Sequence, residues 1–208
     1  MIRVHHLNIS RSQRVLWLLE EIGLDYEVVR HWRDRRTMRA PKALRDLHPL
    51  GKLPLVEVDG RVLAETGLII EYFIARNAPH LAPAPEAGDD HWRYRYWMHH
   101  AEGSLMPQLL LKLIATKMGL LALPIRGMVN EQVKLHLDFV EKEAGRSQWL
   151  AGDQFSAADI MMSFPLEVAA QRAGMGDDYP HCQRLLKAMQ TRPAYQRAWA
   201  RGDGADKR

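Results

Sequence analysis

One cysteine, four phenylalanines and a longest apolar run of only Leu109 to Ile114, itself interrupted by Lys112, set the 208-residue chain apart by what it lacks. A single cysteine excludes an intramolecular disulfide framework and any cysteine-rich zinc or iron–sulfur centre. It also fits a reducing compartment. No run approaches the roughly 20 apolar residues of a spanning helix. The start, Met1-Ile-Arg-Val-His-His6, has no apolar signal-peptide core. A cytoplasmic protein without membrane attachment is expected. The histidine pairs His5-His6 and His99-His100 lack metal-ligand spacing, so no metal is expected either. Neither sign of charge dominates: 29 Lys and Arg against 25 Asp and Glu leave a net charge of +4. That mild excess points to an anionic partner without naming it. Five arginines crowd Arg30 to Arg39, but Asp34 sits among them and no base-reading motif accompanies them, so no nucleic acid is expected.

The length allows one large domain or two small ones. The first part alternates strand and helix signals. Ile2 to Leu7 reads as a strand. A helix follows from Arg11, with Val15, Leu18, Leu19 and Ile22 on one face and Gly23 at its end. Tyr26 to Val29 is a second strand, and Pro41 to Leu47 a short helix. Asp59-Gly60 between Leu53–Val58 and Arg61–Ala64 predicts a two-residue hairpin. A helix with Leu68, Ile69, Tyr72 and Phe73 closes the unit. The order is βαβαββα, and its final hairpin makes the sheet mixed. Residues 78–89, rich in Pro and Gly, read as a linker between a domain at 1–77 and a second at 90–208. The second shows only helical patterns, with Pro107 kinking the first and Pro124, Pro180 and Pro193 opening later ones. Ser156 and Asp159 have the spacing of a capping box. Gly202 to Arg208 reads as a frayed tail.

Three features of the first part carry chemistry. The loop Asn8-Ile-Ser10-Arg-Ser12 precedes a helix, so its hydroxyls and amides face whatever lies above that helix start. The competing reading is a plain serine cap. Lys52-Leu53-Pro54 precedes the hairpin; a cis Leu53–Pro54 bond would turn the Leu53 backbone towards a peptide ligand, whereas the chemistry of X–Pro bonds alone favours trans. Glu65-Thr66 opens a helix, where a hydroxyl and the helix dipole attract a carboxylate and the Glu65 carboxylate attracts an ammonium. Here the competing reading is a Thr66 cap.

In combination these motifs resemble the cytosolic glutathione transferases. The matching runs are Asn8-Ile-Ser-Arg-Ser-Gln-Arg-Val-Leu-Trp-Leu-Leu-Glu-Glu21, His48-Pro-Leu-Gly-Lys-Leu-Pro54 and Leu63-Ala-Glu-Thr-Gly-Leu-Ile-Ile70. Gly152-Asp-Gln-Phe-Ser-Ala-Ala-Asp-Ile160 and Arg192-Pro-Ala-Tyr195 extend the match over nearly the whole chain. The pattern is most similar to bacterial and fungal members of a theta-like type with serine in the first loop. The resemblance implies a thioredoxin-like N-terminal domain that binds glutathione and an all-helical C-terminal domain lining an electrophile site. It implies a cis-proline at Pro54, with Leu53 pairing its backbone with the cysteinyl part of glutathione. Glu65 and Thr66 then hold the γ-glutamyl end and Lys52 lies near the glycyl carboxylate. Ser10 aligns with the family's serine, four residues before Arg14; Ser12 and Asn8 remain alternates for the sulfur contact. Ser156 and Asp159 match a family folding motif. His48 departs from the commoner Asn, and Thr66 from the commoner Ser.

The implied activity is a glutathione transferase of the detoxifying kind. Glutathione is its co-substrate and a small hydrophobic electrophile its second substrate, and the protein is a homodimer. Tyr96, His99 and Met106 lie on the helical stretch that faces the glutathione site in the family. The first loop holds no cysteine, which argues against thiol–disulfide chemistry. Two rivals stand beside this reading: a non-catalytic glutathione or ligand-binding protein, and another glutathione-dependent reaction such as peroxide reduction, dehalogenation or isomerisation.

Overall fold

The computed structural model describes residues 1–34, 36, 37 and 40–207, so Arg35, Met38 and Arg39 of the arginine-rich stretch, and Arg208, lie outside the described residues. Two compact units divide the chain, Met1–Pro79 with Gln190–Arg208, and His80–Met189.

The first unit follows the expected order: β1 (Arg3–Leu7), α1 (Ser12–Ile22), β2 (Glu27–His31), α2 (Leu44–Leu47), β3 (Leu55–Val58), β4 (Arg61–Ala64) and α3 (Thr66–Asn77). The four strands form one sheet in the order β2-β1-β3-β4. β1 pairs parallel with β2 and antiparallel with β3, and β3–β4 is the hairpin. Asp59 and Gly60 both take positive φ, 51° and 71°, as a type I′ turn requires. This is the thioredoxin-like arrangement, and the second unit is helical. His5, on the central strand, reaches Glu57 on β3 and His31 on β2 at 2.8 Å each, so its ring is spent crossing the sheet.

Helix α1 departs from the one-faced pattern. Residues Ser12 to Leu19 are all buried, polar ones included. The cause is α9 (Pro193–Arg201), which packs on α1 although the order of elements assigns it to the helical part. Trp17 meets Tyr195 edge-on at 5.2 Å, and Glu21 takes a two-pronged bond from Arg192 at 2.6 and 3.0 Å. Such fork-to-carboxylate pairs fix orientation as well as adding energy. Gly202–Lys207 does not fray as expected: Gly202 is buried, and Asp203–Lys207 forms a short 3₁₀ turn.

In the second unit α4 (Asp89–His100), α5 (Met106–Met118), α6 (Leu123–Ala144), α7 (Ala157–Arg172) and α8 (Pro180–Gln190) surround a core that includes Trp97, Leu137, Ile160 and Leu185. The long helix expected from residue 90 to 117 is broken by a π-turn at Ala101–Leu105, just before Pro107 in the first turn of α5. Proline lacks the amide that would continue the ladder, and a wider turn is one way to absorb that loss. The helical run Asp89–Ala144 holds a window of mean hydropathy 1.5, long and apolar enough for a membrane span by length and composition. Such a window tolerates a charge or two, which an unbroken apolar run does not; core helices of soluble proteins meet the same criterion.

The capping box forms as its spacing predicts. The Asp159 carboxylate accepts from Ser156 N at 2.9 Å, from the Ser156 hydroxyl at 3.2 Å and from Leu150 N at 3.0 Å. Both residues are buried. Burial pushes the Asp159 carboxyl up to about 6, with these hydrogen bonds opposing it. Cys182 is buried at the start of α8, where burial first and then Glu141 push its thiol far above the usual range. The chain's own sulfur is therefore held in the unreactive thiol form.

Candidate functional site

The site is built on the ends of β1, α1 and α3. The loop after β1 leaves the sheet at Leu7 and turns through Ile9, whose φ of 48° is rare for a β-branched residue. Two contacts hold that turn: the Ile9 amide donates to Asp203 Oδ1 at 2.9 Å, and Arg33 donates to the carbonyls of Asn8 and Ile9. Backbone strain of this kind persists only where the surroundings over-determine it.

Ser10 and Ser12 do not serve as simple caps. The N-cap position of α1 is Arg11, without a side-chain cap. Ser10 Oγ lies 2.7 Å from Ser12 Oγ and accepts from Ser12 N at 3.3 Å. Ser12 Oγ lies 2.9 Å from His6 Nδ1. His6 Nε2 is 3.1 Å from Asp203 Oδ1, off the line of a straight hydrogen bond. Asn8 is half-buried, and its buried Oδ1 has no partner among the described residues.

At the start of α3, Thr66 is likewise not a cap. It is the first helical residue, and its buried hydroxyl accepts from Arg14 Nη2 at 3.3 Å. Arg14, on α1, is 1% exposed. The bond ties the N-termini of α1 and α3 together around a buried guanidinium. Glu65 precedes Thr66 with φ 71° and its side chain exposed. The Leu53–Pro54 bond is cis, and the sheet register begins beyond it at Leu55. The Leu53 amide and carbonyl therefore stand outside the ladder. Lys52 is exposed.

Of the residues singled out from sequence, Ser10 and Ser12 meet each other, and Thr66 is bonded to Arg14 of the helix that Ser12 opens. Tyr96, His99 and Met106 belong to the second unit. Tyr96 stacks on His100 at 5.3 Å and lines a cavity of about 320 Å³ with Trp92, Trp97 and Phe139. His99 is exposed, whereas Met106 is buried at the start of α5. Burial first, then His136, lowers the His100 imidazole to about 4, so it is neutral at pH 7. Among the described residues no three His, Cys, Asp or Glu side chains gather as a metal set. Two side chains of the loop framework, His6 and Asp203, carried no sequence signal. His6 stands in a pair without ligand spacing, and Asp203 in a segment that reads as a tail.

Residues 10–76 match the family model described as glutathione S-transferase, N-terminal domain, and residues 128–193 the one described as glutathione S-transferase, C-terminal domain. Glutathione S-transferase 1 of Saccharomyces cerevisiae is 34% identical, the match covering 94% of this chain and 92% of the yeast protein. A glutathione S-transferase crystal structure from Actinobacillus pleuropneumoniae superposes with a TM-score of 0.89 at 36% identity, covering 98% of this chain and 93% of that one. A sphingomonad glutathione S-transferase complexed with glutathione superposes with a TM-score of 0.77 at 25% identity, over 95% of this chain and 97% of its own.

Proposed function

The chain belongs to the glutathione S-transferase family and is a glutathione transferase, and on that footing we propose that it binds glutathione in the first unit and activates its thiol through Ser10. The observation that carries this reading is the Arg14–Thr66 bond, which gathers two helix N-termini around one buried cation. Helix N-termini and a guanidinium together favour a carboxylate. Glutathione carries one at each end, and a relative of this chain is complexed with it. In this reading Thr66 and Glu65 hold the γ-glutamyl carboxylate and ammonium. The Leu53 backbone pairs with the cysteinyl amide and Lys52 faces the glycyl carboxylate.

The thiolate, not the thiol, attacks. A free thiol ionises near 8.5, so little is ionised at pH 7. Lowering that by about two units takes roughly 2.7 kcal/mol of preference for the charged form. A hydrogen bond to a charged group supplies about 1.5–3 kcal/mol, so one hydroxyl on the sulfur, aided by the α1 N-terminus, accounts for the shift. Ser10, rather than the fully buried Ser12, is the donor; this makes the chain a serine-type member. The second substrate is a small hydrophobic electrophile taken at the helical part, where Tyr96 and His99 offer aromatic surface. A cytoplasmic homodimer acting in detoxification completes the reading.

Binding and turnover separate the proposal from its main rival. The protein is expected to be retained on immobilised glutathione and to conjugate glutathione to an activated aryl chloride. Retention without turnover across a panel of aryl halides, peroxides and haloalkanes would assign a binding role instead. Absence of retention would overturn both.

A further inference from the structure

Ser12 has a hydroxyl placed for something other than its helix. It is fully buried, and its Oγ is surrounded by the Leu7 amide at 3.3 Å, His6 Nδ1 at 2.9 Å and Ser10 Oγ at 2.7 Å. His6 is also buried, with its other ring nitrogen 3.1 Å from the Asp203 carboxylate. Ser10, Ser12 and His6 form a hydrogen-bonded line, and Asp203 faces its far end across a charge contact that is not a straight hydrogen bond. Its parts have the roles of a carboxylate–imidazole–hydroxyl triad, which is recognised by geometry rather than by order in the chain.

The line has a direction. A carboxylate beside Nε2 favours the proton on that nitrogen, which leaves Nδ1 of the neutral ring as an acceptor. Ser12 accepts from Leu7 N; of the two acceptors in reach of its one proton, Nδ1 at 2.9 Å is nearer than the Leu7 carbonyl at 3.5 Å, so the proton goes to Nδ1 and Ser12 accepts from Ser10. Ser10 then has its proton turned inward and a lone pair turned out. That arrangement suits an incoming S–H, not an S⁻.

We propose that Asp203, His6 and Ser12 form a proton relay that takes the thiol proton of glutathione from Ser10 into the protein. The inference rests on the reading that Ser10 touches the sulfur. In the step, the S–H bond breaks and its proton bonds to Ser10 Oγ. The proton of Ser10 passes to Ser12, and that of Ser12 to His6 Nδ1. No proton is lost. The products are a thiolate that accepts a hydrogen bond from Ser10, and an imidazolium facing the Asp203 carboxylate. Ser10 thus changes from acceptor to donor as the sulfur ionises without its hydroxyl having to rotate. Ser12, His6 and Asp203 are positioning residues in this scheme, because only Ser10 meets the sulfur.

The charges around His6 are few. Asp203 faces it from the C-terminal turn. Arg30, its register partner on β2, donates to the carbonyls of Arg201 and Gly202, which holds that turn in place. His5 points to Glu57 and His31. His31 is held below its ordinary value by burial first, then by His5 and His6. Arg33 binds the loop carbonyls, and Ser12, the α1 residue that meets His6, does not titrate. Asp203 is therefore the one anion placed to receive an imidazolium among the described residues.

Asp203→Asn tests the relay, because it removes the charge yet keeps an acceptor for the Ile9 amide. The readout is the pH profile of kcat/KM with glutathione and an activated aryl chloride, together with thiolate absorbance of bound glutathione. The expected result is an apparent thiol pKa about one unit higher, hence roughly tenfold lower kcat/KM at pH 6.5, with glutathione affinity within twofold. Ser12→Ala, which cuts the line without touching Asp203, is expected to shift the profile the same way. If both profiles superpose on the wild type while Ser10→Ala shifts, the relay is refuted and the sulfur contact stands. If Ser10→Ala does not shift either, the sulfur contact fails and the relay falls with it.

Discussion

Thr66→Val is expected to weaken glutathione binding 10- to 100-fold, while Thr66→Ser stays within about threefold of the wild type. The hydroxyl accepts from a guanidinium that is 1% exposed, and a hydrogen bond to a charged group contributes about 1.5–3 kcal/mol. Valine keeps the shape and removes only the acceptor, so the loss reads the polar contact and not a cavity. Serine restores the acceptor and loses one methyl. Calorimetric titration of glutathione into the three proteins checks this. A valine variant that binds like the wild type would remove the start of α3 from the glutathione site.

The largest effect on stability is expected in the second unit. Asp159→Ala should cost about 2–4 kcal/mol of unfolding free energy at pH 7. It strips the acceptor from two buried backbone amides, Leu150 N and Ser156 N, and buried donors left unpaired cost about 1–3 kcal/mol each. Asp159→Asn gives a second, sharper signature. The folded carboxyl ionises at about 6, above its ordinary 3.8, because burial disfavours the charge. Its contribution is thus complete below pH 3.8 and fades as pH rises through about 6. Urea unfolding of both proteins between pH 4.5 and 7.5 should show the wild type losing stability relative to the Asn variant as pH rises. The difference is on the order of 2–3 kcal/mol. A gap that stays constant with pH would mean that Asp159 remains charged throughout.

These two sites also mark how far the sequence reaches. The capping box is a pattern of residues three apart, and the Asp59-Gly60 turn is a pair, so both are legible as local chemistry. The βαβαββα order follows from periodicity in the same way. The Arg14–Thr66 bond joins positions 52 residues apart, and the Ile9–Asp203 tether joins positions 194 apart; no local pattern encodes either. Ser10, Ser12 and Thr66 all read as plausible caps, because the residues that cap helices are those that bind ligands. Only the fold shows that Ser12 and Thr66 are not spent that way, and that Ser10, besides accepting from the Ser12 amide, meets the Ser12 hydroxyl. Burial of Ser12, Gln13 and Arg14 was illegible for a related reason. Polar residues at a helix start look solvated until α9, distant in sequence, is laid over them. Asp203 carries no signal because the seven residues Gly202 to Arg208, rich in Gly and charge, have the composition of a tail.

The most direct test is the ultraviolet titration of the glutathione thiolate bound to the wild type and to Ser10→Ala. With Ser10 as the group on the sulfur, the wild type should show a thiol ionising about two units below free glutathione. Ser10→Ala should return most of that shift while glutathione affinity changes less than threefold. A Ser10→Ala variant whose bound thiol ionises at the wild-type pH would contradict the assignment and move the sulfur contact to Ser12 or Asn8.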